Sequence, residues 1–209
     1  MSRDLSAQNR LFVISAPSGA GKTSLVRALM ERESDLRFSI SYTTRTRRPG
    51  EHDGQHYFFV TPDIFRQMIE DGEFLEHARV FDNYYGTARA QVASLLADGH
   101  GVVLEIDWQG ARQVRAAMPE SVGIFILPPS RAELERRLRG RATDSEDVIR
   151  RRLADAATDM SHWSEFQYVV VNDDFSAALR ALADIVRGRG AASRADRPEL
   201  GPVVAALLD

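Results

Sequence analysis

Cysteine is absent from this chain of 209 residues. No disulfide framework and no thiolate zinc site can therefore form, and the expected setting is reducing and cytoplasmic. Long apolar runs are also missing. None approaches the roughly 20 residues of a membrane helix, and the first ten residues, MSRDLSAQNR, lack the apolar stretch of a signal peptide. Excess charge is missing too. The net charge is −3, which argues against nucleic acid as a partner. Most telling is the shortage of lysine. The chain has 27 basic residues, and Lys22 is the only lysine among them. A general bias toward arginine explains the skew but leaves open why one lysine survives. Arginine is a planar fork of donors, whereas lysine is a compact charge on a flexible stem. A site that needs the second shape is where a lone lysine belongs.

What is present is an alternation of apolar strands and helices with one interruption. Leu11 to Ser15, Gly101 to Ile106, Val122 to Leu127 and Tyr168 to Val171 are apolar runs, read as buried strands, and Phe38 to Ser41 as another. Helices are expected after the first strand through Met30, and over Ala88–Asp98, Trp108–Met118, Arg131–Arg139, from Thr143-x-x-Glu146 through Asp159, and over Asp174–Arg187. Continuously apolar strands joined by helices imply an α/β fold with a parallel sheet covered on both faces. Residues 41–87 break the rhythm. Ser41 to Gly54 reads as a basic loop, Gln55–Val60 and Phe74–Phe81 as strands, and Asn83-Tyr84-Tyr85-Gly86 as a turn. A helix is expected from Thr61-Pro62. The tail from Gly188 has no clear pattern, with Val203 to Leu208 either a short helix or a frayed end.

The sharpest motif is Ala16-Pro17-Ser18-Gly19-Ala20-Gly21-Lys22-Thr23. It follows a strand, precedes a helix, and matches the phosphate-binding pattern G-x-x-x-x-G-K-[ST] except that Ala16 replaces the first glycine. Backbone N–H groups of such a loop curl around an anion, and the helix N-terminus adds partial positive charge. Lys22 is expected to reach the β- and γ-phosphates, and Thr23 to hold Mg²⁺ by its hydroxyl. A second basic cluster, Arg45, Arg47 and Arg48, follows about twenty residues later with Tyr42, Tyr57 and Tyr85 nearby in sequence. Arginine forks and tyrosine hydroxyls suit a second phosphate-bearing ligand, although a solvated charge run has the same composition.

The stretches SAPSGAGKTSL, SYTTRTRRPGEHDGQHYFF, GEFLEHARVFDNYYGT, VVLEIDWQGA, ILPPS, RLRGR and VVVNDD resemble the guanylate kinase family. The resemblance spans Val13 to Asp174. It implies a P-loop kinase core carrying a small mixed GMP-binding insertion and a helical lid. It further implies transfer of the γ-phosphate of ATP to GMP with Mg²⁺, yielding ADP and GDP. On this reading one domain covers 9–188, with its core at 9–40, 88–130 and 160–188, the insertion at 41–87 and the lid at 131–159, followed by a tail at 189–209. Arg45, Arg48, Tyr57 and Tyr85 are expected to hold the GMP phosphate. Ser41, Glu76, Thr87 and Asp107 are expected to read guanine, whose N1–H and N2–H₂ donors suit carboxylates that adenine would leave unpaired. Taken alone, Glu76 fits a surface carboxylate at a strand edge better than a ligand contact. Asp107 equally fits an N-cap for the helix at Trp108, and it could also meet a water of the metal. The resemblance sets Asn172 near the adenine of ATP, where a turn residue is the alternative.

Residues 131–152 contain eight arginines. The resemblance places Arg137, Arg141 and Arg152 over the phosphates, with Gly140 as hinge, while the other five suit solvated helix faces paired with Glu133, Glu135 or Glu146. An arginine contributed in cis to phosphoryl transfer is worth about 10³–10⁵ in rate. Two other functions share this sequence class: a non-catalytic interaction module, and a P-loop kinase for a different phosphorylated acceptor. The retained Gly19, Gly21, Lys22 and Thr23 argue against the first, and the set Glu76, Thr87 and Asp107 against the second. A homo-oligomer stays open.

Overall fold

The computed structural model describes residues 9–80, 82–140 and 146–208. In chain order the elements are β1 (Leu11–Ser15), α1 (Lys22–Arg32), β2 (Leu36–Phe38), β3 (Tyr42–Thr43), β4 (Phe58–Phe59), α2 (Pro62–Glu70), β5 (Phe74–Val80) and β6 (Asn83–Ala88). They continue with α3 (Arg89–Ala97), β7 (Gly101–Glu105), α4 (Trp108–Ala117), β8 (Val122–Leu127), α5 (Arg131–Arg139) and α6 (Glu146–Ser161). The last are β9 (Tyr168–Val171), α7 (Phe175–Val186) and α8 (Leu200–Leu208).

Five strands form one parallel sheet in the order β2-β7-β1-β8-β9. Every residue of β1 is buried, because alternate side chains feed two separate cores. Leu11 and Val13 join Val114, Leu134, Ala156 and Met160 on one face. Phe12 and Ile14 join Leu25, Leu29, Leu182 and Val186 of α1 and α7 on the other. A side chain of this size contributes roughly 1.5–3 kcal/mol when fully buried. The chain leaves β1 toward β2 on one side and later crosses to β8 on the other. Its carboxyl end is therefore a topological switch point, the place where such sheets bind ligands.

A second sheet, ordered β4-β3-β6-β5, pairs β3 with β4 in parallel and the rest antiparallel. Here the structure differs from the sequence expectation. Residues 83–86 belong to strand β6 and do not form a turn, and the basic loop opens with the short strand β3. Gly86 is needed for contact: a Cβ there would lie 2.8 Å from the Phe74 ring and 3.1 Å from Phe65. The expected strand at 55–60 shrinks to Phe58–Phe59, and the one at 38–41 shifts to Leu36–Phe38. Thr61 caps α2 as expected, accepting from the Ile64 N–H with Pro62 at the first turn. The capping box at Thr143 lies outside the described residues. In the tail, α8 is a helix whose Leu200, Val204 and Leu207 are buried in the same core as Leu11 and Met160. No helix among the described residues is long and apolar enough to cross a membrane.

Candidate active site

The loop of residues 16–23 joins β1 to α1. Gly19 and Gly21 have φ of +90° and +93°, which side-chain-bearing residues rarely adopt. Between them Ala20 is fully buried, and its N–H closes a turn onto the Pro17 carbonyl at 3.2 Å. Ala16 is half-buried, Pro17 buried and Ser18 exposed. No acidic residue occurs in the first turn of α1 itself, so its own side chains leave the positive end available to an anion. Lys22 Nζ donates to the Ile106 carbonyl at 3.1 Å, an acceptor shared with the Ser15 hydroxyl at 2.7 Å. The Thr23 hydroxyl donates to Glu105 Oε1 at 2.5 Å.

A cleft of about 620 Å³ runs from Lys22 and Thr23 to the second sheet. Ser41, Tyr57, Glu76, Tyr85 and Asp107 all line it, residues brought together from five separate stretches of chain. Glu76 is 4% exposed, so it is no surface carboxylate. A register irregularity between Phe74 and Glu76 sets Glu76 opposite Thr87 in β6. The fully buried Thr87 donates to Glu76 Oε1 at 2.6 Å. On its other side the carboxylate meets the start of α4, where a Cβ on Gly110 would come within 2.6 Å of Oε2. Burial pushes the Glu76 carboxyl up to about 7; Asp107 adds to the rise, and the Thr87 hydrogen bond opposes it. Asp107 caps α4, accepting from the Gly110 N–H at 2.7 Å, and also lines the cleft, so the two readings of this residue coexist.

Arg45 is held by its neighbours. Its fork meets both oxygens of Glu51 at 2.7 and 3.0 Å, and its guanidinium lies 5.3 Å from the Tyr57 ring and 5.7 Å from that of Phe59. Glu51 also accepts from the Arg48 N–H at 2.7 Å, while the Arg48 side chain is exposed. These bonds hold the Glu51 carboxyl down to about 2.

A second cleft of about 460 Å³ opens between Ser18, Asp107 and helix α6, where Arg151, Arg152 and Asp159 contribute its wall. Burial raises the Asp159 carboxyl to about 6, with Asp107 adding and Lys22 opposing. Arg137 faces the phosphate loop from behind. It donates to the Asn172 carbonyl at 3.1 Å, makes a long 3.5 Å contact with the Ala20 carbonyl, and is tethered to Glu133 at 2.7 Å. Asn172 is buried, with its side-chain amide donating to Ala20. Arg141 lies outside the described residues. Arg136, Arg139 and Arg150 pair with Glu133, Glu135, Glu146 and Asp147, as solvated faces should. Gly140 caps α5 in an ordinary helical conformation.

Sequence reasoning missed Glu105, Glu51 and Asp159. Only Glu105 left a signal, as a lone carboxylate closing an otherwise apolar strand. Trp108 stacks on His162 at 3.5 Å, and His56 Nδ1 accepts from the His52 N–H. Among the described residues no cluster of three or more His, Cys, Asp or Glu is arranged for a metal.

A glycine cradle at the switch point of a parallel sheet, opening into a cleft lined by a buried carboxylate, defines a P-loop nucleotide-binding kinase. The guanylate kinase family model matches residues 8–189. A guanylate kinase of Chromohalobacter salexigens is 54% identical over 202 residues, covering 97% of this chain and 94% of that protein. One of Hydrogenovibrio crunogenus is 58% identical over 175 residues, 84% of this chain and 85% of that one. The crystal structure of guanylate kinase from Anaplasma phagocytophilum superposes with a TM-score of 0.73 at 32% identity, covering 95% and 96% of the two chains. The chain belongs to the guanylate kinase family.

Proposed function

We propose that the chain transfers the γ-phosphate of ATP directly to the phosphate of GMP, giving ADP and GDP, with the two nucleotides meeting end to end in the larger cleft. The observation that carries this reading is the buried Glu76 carboxylate facing the same cleft as Lys22 and Thr23. Residues 16–23 cradle the donor phosphates, and Lys22 leaves the Ile106 carbonyl to follow the charge on the transferring group. Arg45, Arg48, Tyr57 and Tyr85 hold the acceptor phosphate. Arg45 arrives already oriented by Glu51, so little side-chain freedom is lost on binding. Glu76 accepts from guanine N1–H and N2–H₂ while Thr87 fixes its rotamer, and Ser41 and Asp107 complete the base contacts.

The oxygens at the loop's edge suit a hard cation bound mainly through the nucleotide: the Thr23 hydroxyl, Glu105 and Asp107, with no closed cage of side chains among the described residues. Mg²⁺ there would neutralise phosphate charge. Residues 41–87 then act as the GMP-binding insertion on the core of 9–40, 88–130 and 160–188. Residues 131–159 act as a lid that brings Arg152 and Arg141 to the phosphates and excludes water as a competing acceptor. Side-by-side phosphorylation of GMP, AMP, CMP and UMP tests the reading. GMP should be strongly preferred, and comparable turnover of AMP would remove the guanine assignment.

A further inference from the structure

We propose that Asn172 is a positioning residue of the phosphate loop, one that locks the peptide between Ala20 and Gly21 so that its N–H faces the donor phosphates. The proposal rests on the reading of residues 16–23 as the donor cradle, and it gives Asn172 a task other than contact with the donor's base.

The argument begins with the peptide itself. No cis bond occurs among the described residues, so the carbonyl of Ala20 and the N–H of Gly21 point in opposite directions. Whatever holds the carbonyl inward aims the N–H outward. Ala20 is fully buried, and its carbonyl accepts from Asn172 Nδ2 at 2.7 Å. A buried carbonyl needs such a partner. The tie matters because Gly21, at φ +93°, can rotate about φ at little cost. Without the tie the peptide can flip and present an oxygen to the phosphates, turning an attraction into a repulsion.

Asn172 is itself held firmly. Its N–H donates to the Leu127 carbonyl at 2.8 Å, at the end of β8, and its own carbonyl accepts from Arg137 at 3.1 Å. The amide and the loop are also matched in shape, since a Cβ on residue 21 would lie 2.5 Å from Asn172 Nδ2. Gly21 is thus required twice, once for its φ and once to make room for the amide that restrains it.

The test compares a donor with a base and a donor without one. Affinities for MgATP, for inorganic tripolyphosphate with Mg²⁺ and for GMP are measured on the wild type, Asn172→Ala and Asn172→Asp. Asn172→Asp keeps the shape and replaces the donor with an oxygen, which covers the case in which the alanine variant fails to fold. Losing the hydrogen bond should weaken MgATP and tripolyphosphate by similar factors, about tenfold for alanine and more for aspartate. GMP affinity should stay within about twofold, a selectivity that general loosening of the fold would not produce. Weakening of MgATP alone, with tripolyphosphate unchanged, would assign Asn172 to the base and overturn the proposal. Equal loss of GMP affinity would overturn it as well. A wild type that binds neither triphosphate removes the cradle reading itself, and with it this proposal, before any variant is compared.

Discussion

At the scale of single residues the decisive group is Glu76. Its carboxyl sits near 7 because burial disfavours the charge, with Asp107 adding to the effect. A raised pKa means that the folded, unliganded chain favours the protonated acid. The stability contributed by this group therefore falls as pH rises from its ordinary value of 4.5 toward 7. On the proposed base-reading role of Glu76, guanine reverses the preference, because only the carboxylate accepts from both N1–H and N2–H₂. GMP should then bind with release of a proton near neutrality and weaken as pH falls from 8 to 6. The guanine-dependent part of that loss should approach tenfold per pH unit below about 7. The GMP phosphate titrates near 6 on its own account, so the slope is read against Glu76→Gln, which should bind GMP more weakly and lose this component. Identical pH slopes in the two proteins would show that Glu76 does not change charge on binding.

Among the elements, those with buried strands were legible in the sequence. The last strand, Tyr168–Val171, is found at its expected bounds because an apolar run between polar turns has one reading. β6 was not legible. NYYGTA is polar and carries a glycine, and it is a strand only because β5 and β3 pair with it on either side. The site divides in the same way. The phosphate loop is a local pattern, visible at once. The pairing of Glu51 with Arg45 and the charge of Asp107 felt by Asp159 are made by the fold, and no spacing announces them. β6 also carries a test of its own. Gly86→Ala places a methyl within 2.8 Å of Phe74 and must push that ring or the strand aside. Since Glu76 and Thr87 lie in the displaced pair of strands, the variant should raise KM for GMP several-fold, leave KM for ATP near its original value, and cost about 1–3 kcal/mol in stability. Equal rises in both KM values would show that the second sheet does not act on the acceptor alone.

At the scale of the whole molecule the five-stranded sheet has unequal covers, and the tail finishes one of them. On the face carrying α4, α5 and α6, the core also contains Leu200, Val204 and Leu207, at 1%, 5% and 1% exposure. They share this cluster with Ala156 and Met160 of α6, the helix whose Arg152 and Asp159 border the second cleft. α6 thus packs against both α5 and α8, and the far wall of the second cleft depends in part on a segment that carries no site residue. Removing residues 199–209 would forfeit the burial of these three apolar side chains, worth roughly 1.5–3 kcal/mol each, and uncover the core beneath them, an upper estimate because unfolded chains already bury part of that surface. A loss of about 4 kcal/mol corresponds to roughly 8–16 °C in Tm for a chain of this length. The shortened chain should also show a raised KM for ATP at temperatures where it remains folded, since α6 loses one of the elements packed against it, whereas GMP binding, assigned by our proposal to the other sheet, should change little. Thermal unfolding with steady-state kinetics on both substrates decides the matter. An unchanged Tm would mean that the apolar face of α8 contributes nothing to the core. A lowered Tm with both KM values unchanged would separate stability from the geometry of α6.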